Sequence, residues 1–545
     1  VKHLDGWQPG QRAAGLDRLA GDGEPWDLVV VGGGITGAGV LREAARRGWR
    51  VLLVEQRDFA WGTSSRSARM IHGGLRYLTQ GDLRLTREAV AERERLLREA
   101  PGLVDELPFL YPVRKGEFPG RRVFSSLLWF YDRFAGRSRH RFHSAEETAW
   151  LLPGLDEAGL QGAVGYVDAV TDDARLVMRL LAAARRDGGE AFNYLRAEGL
   201  QRGEDGVEGV ELVDEVDGRR LTLEARCVVN ATGAWADRLR DSVGGAPRLR
   251  PLKGSHLVVP AWRLPVFQAL ACRHPRDGRF VYLYPWAGRT VVGTTDFDYE
   301  GDLDEEPGIS RAEVAYLLEA VHAQFPAAGI DEGDIVSTWS GIRPIVAKAG
   351  DDPARIAPSK ASRDHVVFVE DGLVTVTGGK LTTFRLMAND VLRRAARRVG
   401  RAFAADHETP VFSPAPAHLP GLRFDNELPR RLGGTYGTAA VRLLAEAGAE
   451  EREPVPGTDT LWAELAWSAR REAVVHLDDL LLRRSRVGLL LDDGGASLAE
   501  RVEALCRRDL GWDALRWEEE WQRYRAIHAA RYAVPHRDRP GEKQR

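Results

Sequence analysis

Asp27-Leu28-Val29-Val30-Val31-Gly32-Gly33-Gly34-Ile35-Thr36-Gly37 is the stretch that decides the fold. Its first half is apolar without alternation, as in a parallel strand buried on both faces. Gly32, Gly34 and Gly37 then follow the spacing G-x-G-x-x-G. Such glycines let the backbone turn tightly and approach a pyrophosphate, whose charge sits at the positive end of the next helix. Residues 36–47 read as that helix, and Gly48 suits its stop. Residues 50–54 form a second apolar strand that ends at Glu55. One βαβ unit therefore closes within about 30 residues. A carboxylate at Glu55 accepts hydrogen bonds from the ribose hydroxyls of an adenosine half and repels a 2′-phosphate, which disfavours NADP. The glycine motif alone is weak; a strand before it, a helix after it and an acid closing the next strand make it specific.

Three later segments favour FAD over NAD. Gly62-Thr63-Ser64-Ser65 is a small polar cluster able to hydrogen-bond a long cofactor. Val228-Val229-Asn230-Ala231-Thr232-Gly233-Ala234-Trp235 reads as a strand and turn returning to the dinucleotide. Thr377-Gly378-Gly379-Lys380-Leu381-Thr382-Thr383 puts a glycine turn and a cation at another helix start. The dipole there and Lys380 would stabilise negative charge on a reduced flavin.

The chain has 545 residues, too many for one core, with 43% hydrophobic and 29% charged residues. A net charge of −3 gives no global basic field for nucleic acid. Cys227, Cys272 and Cys506 lie far apart, without metal-ligand spacing, and fit a reducing compartment. No apolar run approaches the ~18–20 residues of a spanning helix. Residues 1–25 read as a leader with one short helix and no signal-peptide apolar region. The expectation is a cytoplasmic protein; peripheral attachment to the inner face of the membrane and a homodimer stay open. Residues 406–420 are rich in proline and read as a linker. The pattern beyond, over residues 421–545, is almost all helical.

Longer motifs carry a family resemblance. Thr63-Ser64-Ser65-Arg66-Ser67-Ala68-Arg69-Met70-Ile71-His72-Gly73-Gly74-Leu75-Arg76-Tyr77-Leu78 resembles the signature of FAD-dependent, quinone-linked glycerol-3-phosphate dehydrogenases. Lys253-Gly254-Ser255-His256, Pro285-Trp286, Gly293-Thr294-Thr295-Asp296, Ser340-Gly341-Ile342-Arg343-Pro344 and Arg363-Asp364 are similar to the same family, as is the Gly378 to Thr383 turn. The resemblance is close over residues 27–400 and looser beyond. Arg66 and Arg69 stand where other members often carry a small residue and Lys. It implies an α/β fold: a Rossmann-type FAD-binding domain with an inserted, mainly β substrate domain, plus a C-terminal all-helical cap domain. The flavin parts are expected near 26–110, 165–245 and 335–405, and the substrate parts near 111–164 and 246–334. It also implies sn-glycerol 3-phosphate as substrate and a membrane quinone as electron acceptor.

That substrate is a small dianion with a secondary alcohol. Arginine suits its phosphate because a planar fork bonds two oxygens at once. Arg76, Arg343, Arg363 and Lys380 are the matching cations, and Tyr77 is expected to line the pocket. The resemblance puts Arg343 and Lys380 nearest the flavin. His72 and His256 are the candidate bases for the C2 hydroxyl. His72 also suits a buried structural role; His256 opens a strand after Gly254-Ser255, a position suited to a site rim. Asp296 reads as a turn residue or the partner of a neighbouring cation. Residues 121–143 hold six arginines among Phe124, Trp129, Phe130 and Tyr131. They suit either anionic lipid or a cover over the substrate domain.

An FAD-dependent glycerophosphate oxidase would carry nearly the same substrate motifs. Relatives of that type tend to have a mid-chain insertion that is not seen here. An amino-acid oxidase would need a carboxylate clamp instead of this cation set. A non-catalytic flavoprotein scaffold would not need the full set of candidate site residues.

Overall fold

Val29 and Val30 point to opposite sides of their strand, and both sides are apolar. The computed structural model, which describes residues 7–21, 23–75, 78, 82–346, 364–406, 408–416, 418–422 and 427–535, shows what covers each side. Leu28–Val31 is central in a six-stranded sheet. It pairs in parallel with Val51–Val54 on one side and Val228–Asn230 on the other. Leu373–Gly378 and Glu190–Phe192 extend the parallel array, and His365–Glu370 closes one edge antiparallel. Leu28, Val30, Val51 and Leu53 pack with the helices Ile35–Ala45, Asp173–Arg186 and Phe384–Val399. Val29, Val31, Leu52 and Val54 face a three-stranded antiparallel sheet (Leu195–Gly203, Gly206–Asp214, Arg220–Glu224) and the helix Arg12–Gly21.

A second, ten-stranded sheet lies beside the first. Its long members are Val104–Arg114, Leu160–Thr171 and Leu249–Pro260. Leu249–Pro260 pairs with Ser337–Val346 along its length and with Arg289–Gly293 over its second half. The boundaries expected at 111 and 165 fall inside strands of this sheet, and Ser337–Val346, expected in the flavin part, also belongs to it. Local pattern cannot show this, since Val104–Arg114 and Leu160–Thr171 are joined only by cross-strand pairing. The helix Arg311–Gln324 packs on one face. Arg121–Ala135 and the C-terminal helices pack on the other, sharing one core with Trp339.

The described residues of the 406–420 stretch are irregular but not loose: Val411 and Phe412 are buried, and Arg42 donates to the Val411 carbonyl at 2.9 Å. The C-terminal helices are tied to the flavin region by buried charge. Arg483 and Arg484 both reach Asp58, at 2.6 and 2.7 Å. Burial would raise the Asp58 carboxyl, but the two guanidiniums outweigh it and hold it low. The three cysteines are buried free thiols; burial pushes Cys227 up to about 12, which suits packing, not reactivity.

Candidate active site

The glycine turn, Glu55, Thr63, Ser64, Gly233 and the Gly378-Gly379-Lys380 turn line one cavity of about 430 Å³. Gly32 sits at φ +115, and a Cβ there would lie 2.6 Å from the Ala231 carbonyl oxygen. A Cβ on Gly37 would overlap the Gly32 carbonyl oxygen. Only glycine lets the helix Ile35–Ala45 begin this close to its strand. Gly34 is the N-cap, and Ile35 N donates to Ser64 Oγ at 2.9 Å. Glu55 accepts from Gly33 N at 2.6 Å and from Arg57 N at 2.9 Å. Burial nonetheless pushes its carboxyl up. A carboxylate in the cavity wall and a helix N-terminus in a bare glycine cradle together fit a dinucleotide. Thr63 Oγ1 donates to the Ile342 carbonyl. Ser65 differs from expectation: its hydroxyl turns back to the Gly62 carbonyl at 3.4 Å, and it does not line the cavity.

At the other end, Gly378 and Gly379 are both left-handed, and Lys380 caps the short turn Leu381–Thr383 ahead of Phe384–Val399. His72 lies alongside, its carbonyl accepting from Thr382 Oγ1 at 3.3 Å. The glycine turn is backed by His365, whose Nε2 is 2.8 Å from Asp390 Oδ2 and whose Nδ1 is 3.5 Å from Asp364 Oδ1. Burial opposes its charge, but the two carboxylates win and raise it to about 9. A folded-state pKa above the unfolded 6.5 means stability fully present below pH 6.5 and lost as pH rises through about 9. The shift is worth on the order of 3 kcal/mol at most. The Tm gap between wild type and His365→Gln is expected to be widest near pH 6 and to close by about pH 9.5; a gap constant across that range would remove the charged clamp.

Arg343 projects from Ser337–Val346 and is held from two sides, Nη1 to Asp296 Oδ1 at 3.0 Å and Nη2 to Thr294 Oγ1 at 3.0 Å. Asp296 is thus the partner of a cation. His256 pairs with Trp339 and Gly293 across the sheet. It does not open its strand at a rim: the strand starts at Leu249, and His256 is mid-strand and 1% exposed. Its ring stacks on Trp339 at 4.9 Å. Neither ring nitrogen makes a well-formed hydrogen bond among the described residues, the Trp339 backbone being close enough only for a weak effect. Burial first, then Arg343 and Arg69, hold His256 far below its usual value, so it is neutral at physiological pH.

Arg69 had no role in the sequence reading beyond a departure from the family's Lys. Its guanidinium is fully buried, 3.6 Å from the Trp286 ring centroid and 4.3 Å from that of Trp339. None of its nitrogens has a hydrogen-bond partner among the described residues, and Asp173 stands 3.8 Å away. Burial and Arg486 push it down to about 10. His365 was also missed, because its importance comes from Asp390 on a different element. Arg76, Tyr77 and Arg363 lie outside the described residues.

Residues 27–385 match the family described as FAD dependent oxidoreductase, and residues 382–516 the one described as the C-terminal domain of alpha-glycerophosphate oxidase. A protein of Staphylococcus aureus (strain USA300) named aerobic glycerol-3-phosphate dehydrogenase is 33% identical over 493 residues, covering 85% of this chain and 87% of its own. The structure of glycerol-3-phosphate dehydrogenase from Bacillus halodurans complexed with FAD superposes with a TM-score of 0.75 at 26% identity, covering 96% of this chain and 98% of its own. L-alpha-glycerophosphate oxidase from Mycoplasma pneumoniae with FAD bound shares the fold, with a TM-score of 0.56 at 17% identity, over 72% of this chain and 99% of its own.

Proposed function

The chain belongs to the FAD-dependent glycerol-3-phosphate dehydrogenase family, and from that premise we propose that it oxidises sn-glycerol 3-phosphate to dihydroxyacetone phosphate and delivers the electrons to a membrane quinone. The observation that carries the reading is the pairing of a clamped arginine with a neutral histidine. Arg343 is fixed by Asp296 and Thr294, and His256 lies on the partner strand.

FAD, when bound, supplies the acceptor for the hydride from C2. The rest falls to side chains. Arg343 and Lys380, with Arg76 and Arg363, bind and orient the phosphate and polarise the alcohol. His256, neutral and dry, takes the C2 hydroxyl proton; His72 is the alternative base. Burial first, then Arg343 and Arg69, keep His256 unprotonated, and the same surroundings lower its basicity. Anaerobic glycerol 3-phosphate should bleach the flavin, and free glycerol should not. Slow or absent bleaching with both would remove the substrate assignment.

The quinone reading rests on the helix Arg121–Ala135. Its Phe124, Leu128 and Tyr131 are buried, while Val123, Trp129 and Phe130 are exposed beside Arg121 and Arg122. No helix among the described residues is long and apolar enough to cross a membrane. An apolar ridge flanked by arginines suits the surface of an anionic bilayer. Trp129→Ser with Phe130→Ser is expected to weaken vesicle binding by roughly tenfold or more, and to slow reduction of a lipid-borne quinone without slowing that of a soluble dye. The C-terminal match favours a second reading, a glycerophosphate oxidase that reduces oxygen. Peroxide formed in step with substrate loss, without quinone reduction, would select it.

A further inference from the structure

A second cavity, of about 330 Å³, shares no residue with the glycine cradle. It lies between the helix Asp173–Arg186 of the flavin region and the C-terminal helices Glu427–Tyr436, Ala439–Glu446 and Trp462–Arg471. Arg175, Arg179, Arg185 and Arg186 enter it from the first helix, and Arg442 and Arg471 from the C-terminal side. Glu472 is the one carboxylate among its lining residues, and Arg175 already engages it at 2.6 and 2.9 Å.

Arg179 is the poorly compensated one. Arg179 is 5% exposed and forms no ion pair among the described residues. Among the described residues its Nε has no hydrogen-bond partner; it makes a long bond to the Ser413 carbonyl at 3.4 Å and lies over the Phe412 ring at 5.3 Å. Burial and the neighbouring Arg186, Arg175 and Arg42 push Arg179 down to about 10. Arg186 hydrogen-bonds hydroxyls, Thr438 at 2.9 Å and Ser413 at 3.3 Å, with the Asp187 carboxylate nearby. Arg442 pairs with Glu446 at 2.5 Å, leaving Arg471 at 3.5 Å from that same carboxylate. A buried cation without an anion is costly to hold, and Arg179 shares its cavity with five further guanidiniums.

We propose that this cavity binds a small polyanion of the phosphate-ester or polyphosphate class. Planar guanidinium forks converging from two elements match phosphate oxygens bidentately. Two guanidiniums lie over aromatic rings of the wall: Arg185 over Trp7 at 4.3 Å and Arg175 over Tyr436 at 4.4 Å. An anion here bridges the two regions and fixes the C-terminal helices against Asp173–Arg186. The first residue of that helix, Asp173, holds Ser67 at 2.7 Å, and Ser67 lines the flavin cavity. The proposal stands apart from the substrate reading.

The test uses the flavin-loaded full chain, titrated with pyrophosphate against potassium chloride at equal ionic strength, with Tm and calorimetric Kd as readouts. Wild type should show a saturable rise in Tm. Arg179→Ala and Arg186→Ala should each weaken Kd by about tenfold or more, while Arg343→Ala leaves it unchanged. Arg186 is exposed, so its replacement spares the core even if Arg179→Ala fails to fold. No rise beyond that in chloride overturns the site. A rise lost in Arg343→Ala but kept in Arg186→Ala moves the ligand to the substrate site and overturns it equally. Citrate binding as tightly as pyrophosphate overturns the phosphate class.

Discussion

Arg343→Ala is expected to lower kcat/KM for glycerol 3-phosphate by between roughly tenfold and a thousandfold. Each hydrogen bond to a charged group contributes about 1.5–3 kcal/mol. A buried charge that loses one of its partners costs up to about 2–5 kcal/mol, and Asp296, partly buried, would lose its bond to Arg343. Arg343→Lys keeps the charge but loses the fork, so it should recover only part of the rate. Free glycerol separates the roles. If Arg343 binds phosphate alone, the residual glycerol rate is unchanged in Arg343→Ala; if it also orients the C2 hydroxyl, both rates fall. Comparable wild-type turnover of glycerol and glycerol 3-phosphate would refute the phosphate clamp and the substrate with it.

Glu55→Arg is expected to yield protein that loses its flavin on gel filtration, with affinity at least about tenfold weaker. The substitution acts twice. It replaces an acceptor for the ribose hydroxyls with a donor, and it removes the acceptor of the Gly33 N–H at 2.6 Å, loosening the cradle itself. Glu55→Gln retains one acceptor oxygen and should lose less. A Glu55→Arg protein that stays fully yellow, with unchanged flavin content, would show that Glu55 is misplaced in this reading.

What could be read from sequence follows the range of the interactions. The strand Leu28–Val31, its glycine turn and Glu55 are one local unit, so spacing alone placed them. Gly233 and the Gly378-Gly379-Lys380 turn were legible because each turn follows its own strand. The layout of the second sheet was not. The pairing of Leu249–Pro260 with Ser337–Val346 is written in no local pattern, and it makes His256 a buried mid-strand residue instead of a rim residue. The clamps were hidden for the same reason: His365 depends on Asp390, and Arg69 on Trp286 and Trp339. Asp296 was legible only as a turn residue or the neighbour of some cation, and its partner Arg343 comes from another strand of the same sheet. The two faces of Arg121–Ala135 were half legible. Basic and aromatic residues are evident in the sequence, but which rings face inward depends on what lies beneath.

A ribosome releases this chain from one end, and Asp58 leaves it 425 positions ahead of Arg483. At about 5–20 residues per second the delay is roughly 20–85 s. For that time the nascent glycine cradle exists beside a carboxylate whose two guanidinium partners have not yet been made. The cofactor should therefore be acquired after synthesis ends, and growth short of flavin should leave released, full-length chains as the species that cellular proteases remove.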